Sequence, residues 1–150
     1  MKLKNLFVVL GVFSIVNAGY SMEKRVNNLT YDETAKYNSL VNQIQQMGQN
    51  GTQIGTEFYN RCYSQNNPAT VRVVRRFINR FLECKQHFIN FQSLLNKEMG
   101  QSKNYTFKGK LYPLKFAAQQ SIDNIDNVVY PIMLKIKQMG LDDDDNVVLR

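Results

Sequence analysis

The stretch NPATVRVVRRFINRFLECKQHFINFQSLLNKEM, residues 67–99, constrains the fold most, because its apolar and charged side chains separate by helical period. Stepping by about 100° per residue places apolar side chains over roughly half of the circumference and basic ones over most of the rest. Asn67 as N-cap, Pro68 as the first helical residue and Gly100 as terminator predict its ends. Because so wide an apolar face has to be buried, we expect the other helices to pack around this one. The predicted face comprises Val74, Phe77, Ile78, Phe81, Leu82, Cys84, Phe88, Leu95 and Met99.

A second helical pattern covers residues 31–61. Thr30 and Glu33 have the spacing of a capping box, which predicts the start of a helix. Apolar residues then recur at steps of three and four, but Gly48 and Gly51 weaken the middle, since each glycine costs about 1 kcal/mol against alanine in a helix. The segment forms either one long helix or two shorter ones, and the unbroken register favours one.

A third pattern runs from Leu111 to residue 139, after a polar, basic stretch that we expect to be a loop. Pro131 is expected to kink or divide this helix, because proline removes a backbone hydrogen bond. No segment alternates as a strand does. Residues 30–140 are therefore predicted to form a single all-α domain, a small antiparallel bundle of three to four helices. Lys85 and Gln92 interrupt the apolar face of the central helix, and the sequence offers no reason for them.

The first 29 and the last ten residues of the sequence do not show the amphipathic helical pattern. Lys2 and Lys4, an apolar run over residues 6–16 and small residues up to Ala18 predict a secretory signal peptide, residues 1–18. The protein is then extracellular, or periplasmic if the source is bacterial. Residues 19–29 are expected to be a flexible arm, and residues 141–150, with four consecutive aspartates, an acidic disordered tail. An alternative is that the tail folds back on the basic helix face when no partner is bound.

Cys62 and Cys84 are the two cysteines of the chain. In a secreted protein they are most simply paired, so one intramolecular disulfide is predicted, with intermolecular pairing as the alternative. Cys84 lies sixteen residues after Pro68, so this pairing requires the segment before Pro68 to run extended beside the helix. Asn28, Asn50 and Asn104 begin Asn-X-Thr sequons, which predicts a glycoprotein in a eukaryotic source.

The sequence contains no set of catalytic residues. His87 is the one histidine, and none of the common nucleophile, phosphate-loop or zinc-protease motifs occurs. The aspartates of the tail lack the alternating ligands and the glycine of an EF-hand loop. We therefore expect a protein that is not an enzyme and that uses no cofactor or metal.

The basic helix face is the main indication of function. Arg72, Arg76 and Arg80 recur every four residues with Arg75 beside them. Like charges so placed repel, while arginine forks suit carboxylates, sulfates and phosphates. Residues 61–115 hold eleven basic and two acidic side chains, so the positive charge is concentrated there.

The resulting hypothesis is a secreted, non-enzymatic helical protein, of the effector, salivary, venom or signalling kind, that binds an acidic macromolecule. A protein or a glycosaminoglycan fits a secreted chain, whereas nucleic acid does not. One alternative is a carrier of a small hydrophobic ligand within the bundle. Another is a membrane-active toxin that uses the basic amphipathic helix. The carrier cavity would be lined by Phe58, Phe77, Phe81, Phe88, Phe91, Phe116, Met47, Met99, Met133 and Met139.

Overall fold

The first helix, α1, spans Tyr31–Cys62 without interruption, which confirms the single-helix alternative. Thr30 forms the predicted capping box: its hydroxyl accepts from the Glu33 amide at 3.2 Å, and the Glu33 carboxylate accepts from the Thr30 amide at 3.0 Å. The Thr30 amide is the main reason that the pKa of Glu33 is lowered. Gly48 and Gly51 are buried, so tertiary packing offsets their low helix propensity.

The computed structural model describes residues 29–63 and 68–149. The predicted signal peptide, all of the predicted arm except residue 29, Asn28 and the predicted N-cap Asn67 lie outside the described residues.

The second helix, α2, spans Val71–Gln101 and begins later than the sequence suggested. Its N-cap is Thr70, whose hydroxyl accepts from the Val73 amide. Pro68 is therefore not the first helical residue. The reason is a long-range pairing: Ala69–Thr70 form a short strand, β1, antiparallel to β2 at Asn146–Val147 near the end of the chain.

The third helix, α3, spans Tyr105–Met139 and begins earlier than expected. The Asn104 side chain caps it by accepting from the amides of Thr106 and Phe107, so most of the stretch predicted as a loop is helical. Pro113 and Pro131 both lie inside the helix, and Pro131 does not divide it. Buried apolar side chains on either side of Pro131 favour continuation through it. Gly140 ends the helix with a left-handed φ of 60°.

The three helices of the described residues form the all-α bundle that the sequence predicted. Helix α2 packs against both others, most extensively against α3. Its two polar interruptions make interhelical contacts with α3. The Lys85 ammonium lies 2.7 Å from both carboxylate oxygens of Asp126, and the Gln92 amide donates to Gln119. The largest fully buried side chains include Phe58, Phe81, Phe88, Phe107, Ile44, Leu95, Leu111, Leu114 and Ile125.

The predicted disulfide between Cys62 and Cys84 is wrong, because both thiols are free and buried and are not within bonding distance. The Phe58 ring lies 5.4 Å from that of Phe77 and 5.7 Å from that of Phe81. Phe58 of α1 therefore lies beside residues 77–81 of α2. Because the two helices are antiparallel, Cys62, one turn after Phe58, lies nearer the start of α2, whereas Cys84 lies further towards its end. At the helical rise per residue the two cysteines are about 13 Å apart along α2, well outside the reach of a disulfide.

The tail also differs from the expected disordered segment. Asn146–Val147 pair with β1, and Val147 and Leu149 are only 1% and 3% exposed. The apolar residues that follow the aspartates are thus part of the core. Among the described residues, no helix has both the length and the hydropathy to span a membrane.

Replacing Gly109 by alanine is expected to raise the free energy of unfolding by about 0.5–1 kcal/mol, because this glycine lies inside α3 and an added Cβ would meet open space. Chemical denaturation measures the change. The control is Gly140→Ala, expected to lower stability by about 1 kcal/mol because of its left-handed backbone. A Gly109→Ala protein less stable than the parent would contradict the prediction.

The two thiols are expected to resist a thiol reagent in the native protein at neutral pH and to react in full after denaturation. Burial raises the pKa of Cys62 and of Cys84 to about 11, which keeps both thiols protonated. The stability that they contribute is present below their ordinary pKa of 9.0 and is lost as the pH rises towards about 11. Fewer than two reactive thiols in the denatured, unreduced protein would indicate a disulfide.

Candidate functional site

The four predicted arginines lie at the start of α2, where we call them the arginine row. Arg72, Arg75 and Arg76 are exposed, and Arg80 is half-buried. The structure places Arg72, Arg76 and Arg80 on successive turns, as their spacing predicted. The row is therefore a surface feature at one end of the bundle.

The electrostatics at this end of α2 are unfavourable within the helix itself. The first turn contains no acidic side chain, and Arg72 stands there instead. A helix N-terminus carries a partial positive charge, so basic residues there add like charge. The start of α2 consequently requires negative charge from elsewhere in the molecule.

The chain's own end supplies that charge through residues 142–149, which we call the acidic strap. Arg72 Nη2 lies 2.8 Å from Asp144 Oδ1, and Arg75 Nε lies 3.2 Å from Asp143 Oδ1. The strap also accepts from the first helical amides: Val71 donates to the Asp145 carbonyl and Arg72 to that of Asp143, both at 2.9 Å. This is the folded-back tail that the sequence offered as an alternative.

Apolar and backbone contacts hold the far part of the strap. Val147 and Leu149 are buried, and β2 pairs with β1 immediately before the arginine row. The Lys135 ammonium donates to the Val148 carbonyl at 2.6 Å. The two arginine–aspartate pairs are exposed by comparison, with both Arg72 and Arg75 side chains 56% exposed. The strap is thus anchored at its apolar end and loosely held at its acidic end.

The other two arginines have different surroundings. Arg80 pairs with Glu57 of α1, and its guanidinium lies 5.4 Å from the centre of the Phe77 ring. This pairing is the main reason that the pKa of Glu57 is lowered. Within residues 29–63 and 68–149, Arg76 has no ion pair. Arg76 is therefore the member of the row most available to a ligand.

An open groove of about 800 Å³ lies beside the row, between α2 and the end of α3. The sequence did not predict this groove, because helical periodicity groups apolar side chains by face and does not show which of them stay exposed. Leu82 was placed on the buried face of α2 but is 39% exposed, and Met133, named for a core cavity, is 48% exposed. The two apolar residues that flank Pro131, Tyr130 and Ile132, could have drawn attention to this end of α3. The groove lining includes Arg75, Leu82, Tyr130, Met133, Leu134 and Lys137.

The candidate glycosylation sites have distinct environments. Asn50 is exposed on α1, whereas the Asn104 side chain is engaged. Its oxygen caps α3, and its Nδ2, the atom that would carry a glycan, donates to Glu33 at 2.8 Å. His87 is exposed on α2, and the described residues contain no group of three or more metal-ligating side chains.

The residues named for a carrier cavity do not converge. Phe58, Phe81, Phe88 and Phe91 pack in the core, whereas Phe116, Met133 and Met139 are exposed. Phe58 forms close ring contacts with both Phe77 and Phe81. The set is thus divided between core packing and surface.

Comparisons of the chain with protein-family models, with curated proteins and with solved structures gave no match.

Replacing Asn104 by alanine is expected to destabilise the protein by about 1 kcal/mol, because α3 loses its N-cap. The contact with Glu33 is lost as well. Thr106→Ala is the control, because it removes the same sequon but leaves the Asn104 contacts in place. Denaturation of unglycosylated protein measures both variants. Equal stability losses in the two would contradict the capping role.

Proposed function

We propose that this chain is a secreted, non-enzymatic protein that binds an acidic macromolecule through the arginine row. The observation that carries the proposal is the acidic strap, in which carboxylates already occupy Arg72 and Arg75. The surface therefore suits carboxylate ligands, and the strap is an internal example of one. Secretion is supported by the basic, apolar and small-residue pattern of residues 1–18.

A protein segment is favoured over a glycosaminoglycan as the partner. The strap combines carboxylates with backbone hydrogen bonds to α2 and with aliphatic anchors, which a polysaccharide lacks. The neighbouring groove adds apolar side chains, among them Leu82, Tyr130 and Met133. The proposed partner presents acidic residues next to apolar ones.

Exchange of strap for partner is energetically accessible. Exposed ion pairs of this kind contribute about 0.2–1 kcal/mol each, so an acidic partner can replace the Asp143 and Asp144 contacts at little cost. Arg76 provides a first contact that requires no displacement. Binding then proceeds from Arg76 towards Arg72 and Arg75 as the acidic end of the strap detaches, while Val147 and Leu149 stay in the core.

The two free cysteines are compatible with an oxidising compartment. Each thiol is buried and has a raised pKa, which suppresses the reactive thiolate. Their separation prevents pairing within the chain, and their burial prevents pairing between chains.

The test uses a fluorescent peptide with the sequence of residues 141–150, LDDDDNVVLR, and measures its anisotropy with the full chain. Wild-type protein is expected to bind weakly because its own strap competes. The double variant Val147→Asp/Leu149→Asp is expected to bind about tenfold more tightly, because buried carboxylates expel the strap. Adding Arg72→Gln and Arg75→Gln to that variant is expected to abolish binding.

Three controls accompany this experiment. A peptide with asparagines in place of the aspartates separates charge from apolar binding. Lys97→Gln in the strap-released protein removes one exposed charge at the far end of α2 and is expected to change little. Heparin serves as the polysaccharide probe. Equal peptide affinity with and without the strap contradicts the proposal, and tight binding of heparin alone favours a glycosaminoglycan partner.

A small hydrophobic ligand remains the second candidate, favoured by the open groove rather than by the core. An apolar fluorescent probe is expected to bind there, and Met133→Glu is expected to remove that binding because it places a charge in the groove. Unchanged probe binding in this variant contradicts the carrier alternative. The membrane-active toxin is not proposed, because it would require the apolar face of α2, including Phe81 and Phe88, to leave the core.

A further inference from the structure

Three aromatic side chains stand exposed along the outward side of α3, far from the arginine row. Tyr105 is 86% exposed, Tyr112 59% and Phe116 65%. Their spacings of seven and four residues keep them within about 20° of one line, over a length of about 16 Å. Single exposed aromatics are common, but three in one line form an apolar surface that residues 29–63 and 68–149 leave uncovered. We call these three residues the aromatic ridge.

Lysines flank the ridge. The Lys108 ammonium lies 5.6 Å from the centre of the Tyr105 ring, and Lys115 follows seven residues later on the same flank. Lys103 is exposed just before the helix. Three acidic residues, Asp32, Glu33 and Glu98, line a pocket with Lys103 near the start of α3, and Glu98 is paired with Lys36. The cationic part of the ridge is therefore the flank that Lys108 and Lys115 form.

The shape of this region differs from that of the groove beside the arginine row. The ridge residues project from the outward side of a helix and do not line that groove. Gly109, between Tyr105 and Tyr112, has open space where a side chain would be. On the same line Asp123 is exposed, so an acidic residue ends the aromatic and basic region. A convex ridge of this kind matches a broad, deformable surface better than it matches a projecting side chain.

We propose that the aromatic ridge binds the surface of an anionic lipid bilayer, with α3 lying along the membrane plane. Tyrosine and phenylalanine rings partition to the region of the lipid headgroups, where one side is apolar and the other is wet. The lysines approach the anionic headgroups, and their apolar stems cover the neighbouring bilayer surface. Charge complementarity is what favours an anionic membrane over a neutral one.

This binding is independent of the proposed function. The Gln92–Gln119 contact places Phe116 level with about residue 95 of α2, so the ridge lies about 20 Å along the helix from Arg80 and about 35 Å from Arg72. Binding at the ridge also leaves the core of the bundle intact, since its rings already face solvent. Attachment without permeabilisation is therefore expected.

A single tryptophan reporter tests the proposal, because the chain contains no tryptophan. Phe116→Trp is expected to give a blue-shifted emission, protected from an aqueous quencher, with vesicles of phosphatidylcholine and phosphatidylserine, and no change with phosphatidylcholine alone. Val148→Trp is the control, because Val148 is 56% exposed in the acidic strap, at the opposite end of the bundle from the ridge. Its emission is expected to stay unchanged with both vesicles. Absence of a blue shift at position 116 with anionic vesicles overturns the proposal.

Co-sedimentation with the same vesicles measures the contribution of each group. Tyr112→Gln/Phe116→Gln is expected to lower partitioning at least tenfold, and removal of Lys108 or Lys115 about fivefold each. Both ring positions are exposed, and circular dichroism verifies that the variants fold. Arg76→Gln is the charge control and is expected to bind as the parent does. Partitioning that falls with Arg76→Gln but not with the ridge variant overturns the proposal in favour of attachment through the arginine row.

Discussion

Burial of the apolar face of α2 is the constraint on which the rest of the structure depends. Phe81, Phe88 and Leu95 are almost fully buried because α1 and α3 both pack against this helix. Once that face is inside, the helix rotation is fixed, so the arginine row has to face solvent. The ion pair between Lys85 of α2 and Asp126 of α3 lies at the edge of the same interface, where the lysine stem is largely buried and its ammonium reaches the carboxylate.

The same burial places like charges together at the start of α2, and the acidic strap neutralises part of that charge. A helix that begins with arginines has positive side chains added to the positive end of its dipole. The strap brings carboxylates to Arg72 and Arg75 and carbonyl oxygens to the first free amides. Because Val147 and Leu149 contribute to the core, the order of the tail is coupled to the stability of the bundle.

Sequence reasoning succeeded where the information was local. The capping box at Thr30 follows from a four-residue motif. The buried face of α2, apart from the exposed Leu82, and the exposure of Arg72 and Arg76 follow from helical periodicity. It failed where two distant segments meet. The pairing of β1 with β2 places the start of α2 later than predicted, and the register between α1 and α2 keeps the two cysteines apart. The groove and the aromatic ridge were not predicted, because periodicity does not show which apolar side chains stay exposed: Leu82, Phe116 and Met133 were all assigned to the interior but lie at the surface.

The two proposed surfaces should respond differently to salt. A partner at the arginine row replaces aspartates that already neutralise Arg72 and Arg75, so ion pairs are exchanged rather than created. Screening weakens the strap and the partner together, and much of the salt dependence cancels. At the aromatic ridge the described part of the chain places no acidic segment against Lys108 or Lys115, so the attraction to an anionic membrane is screened in full. Affinity that falls steeply with salt therefore distinguishes membrane attachment from occupation of the strap site.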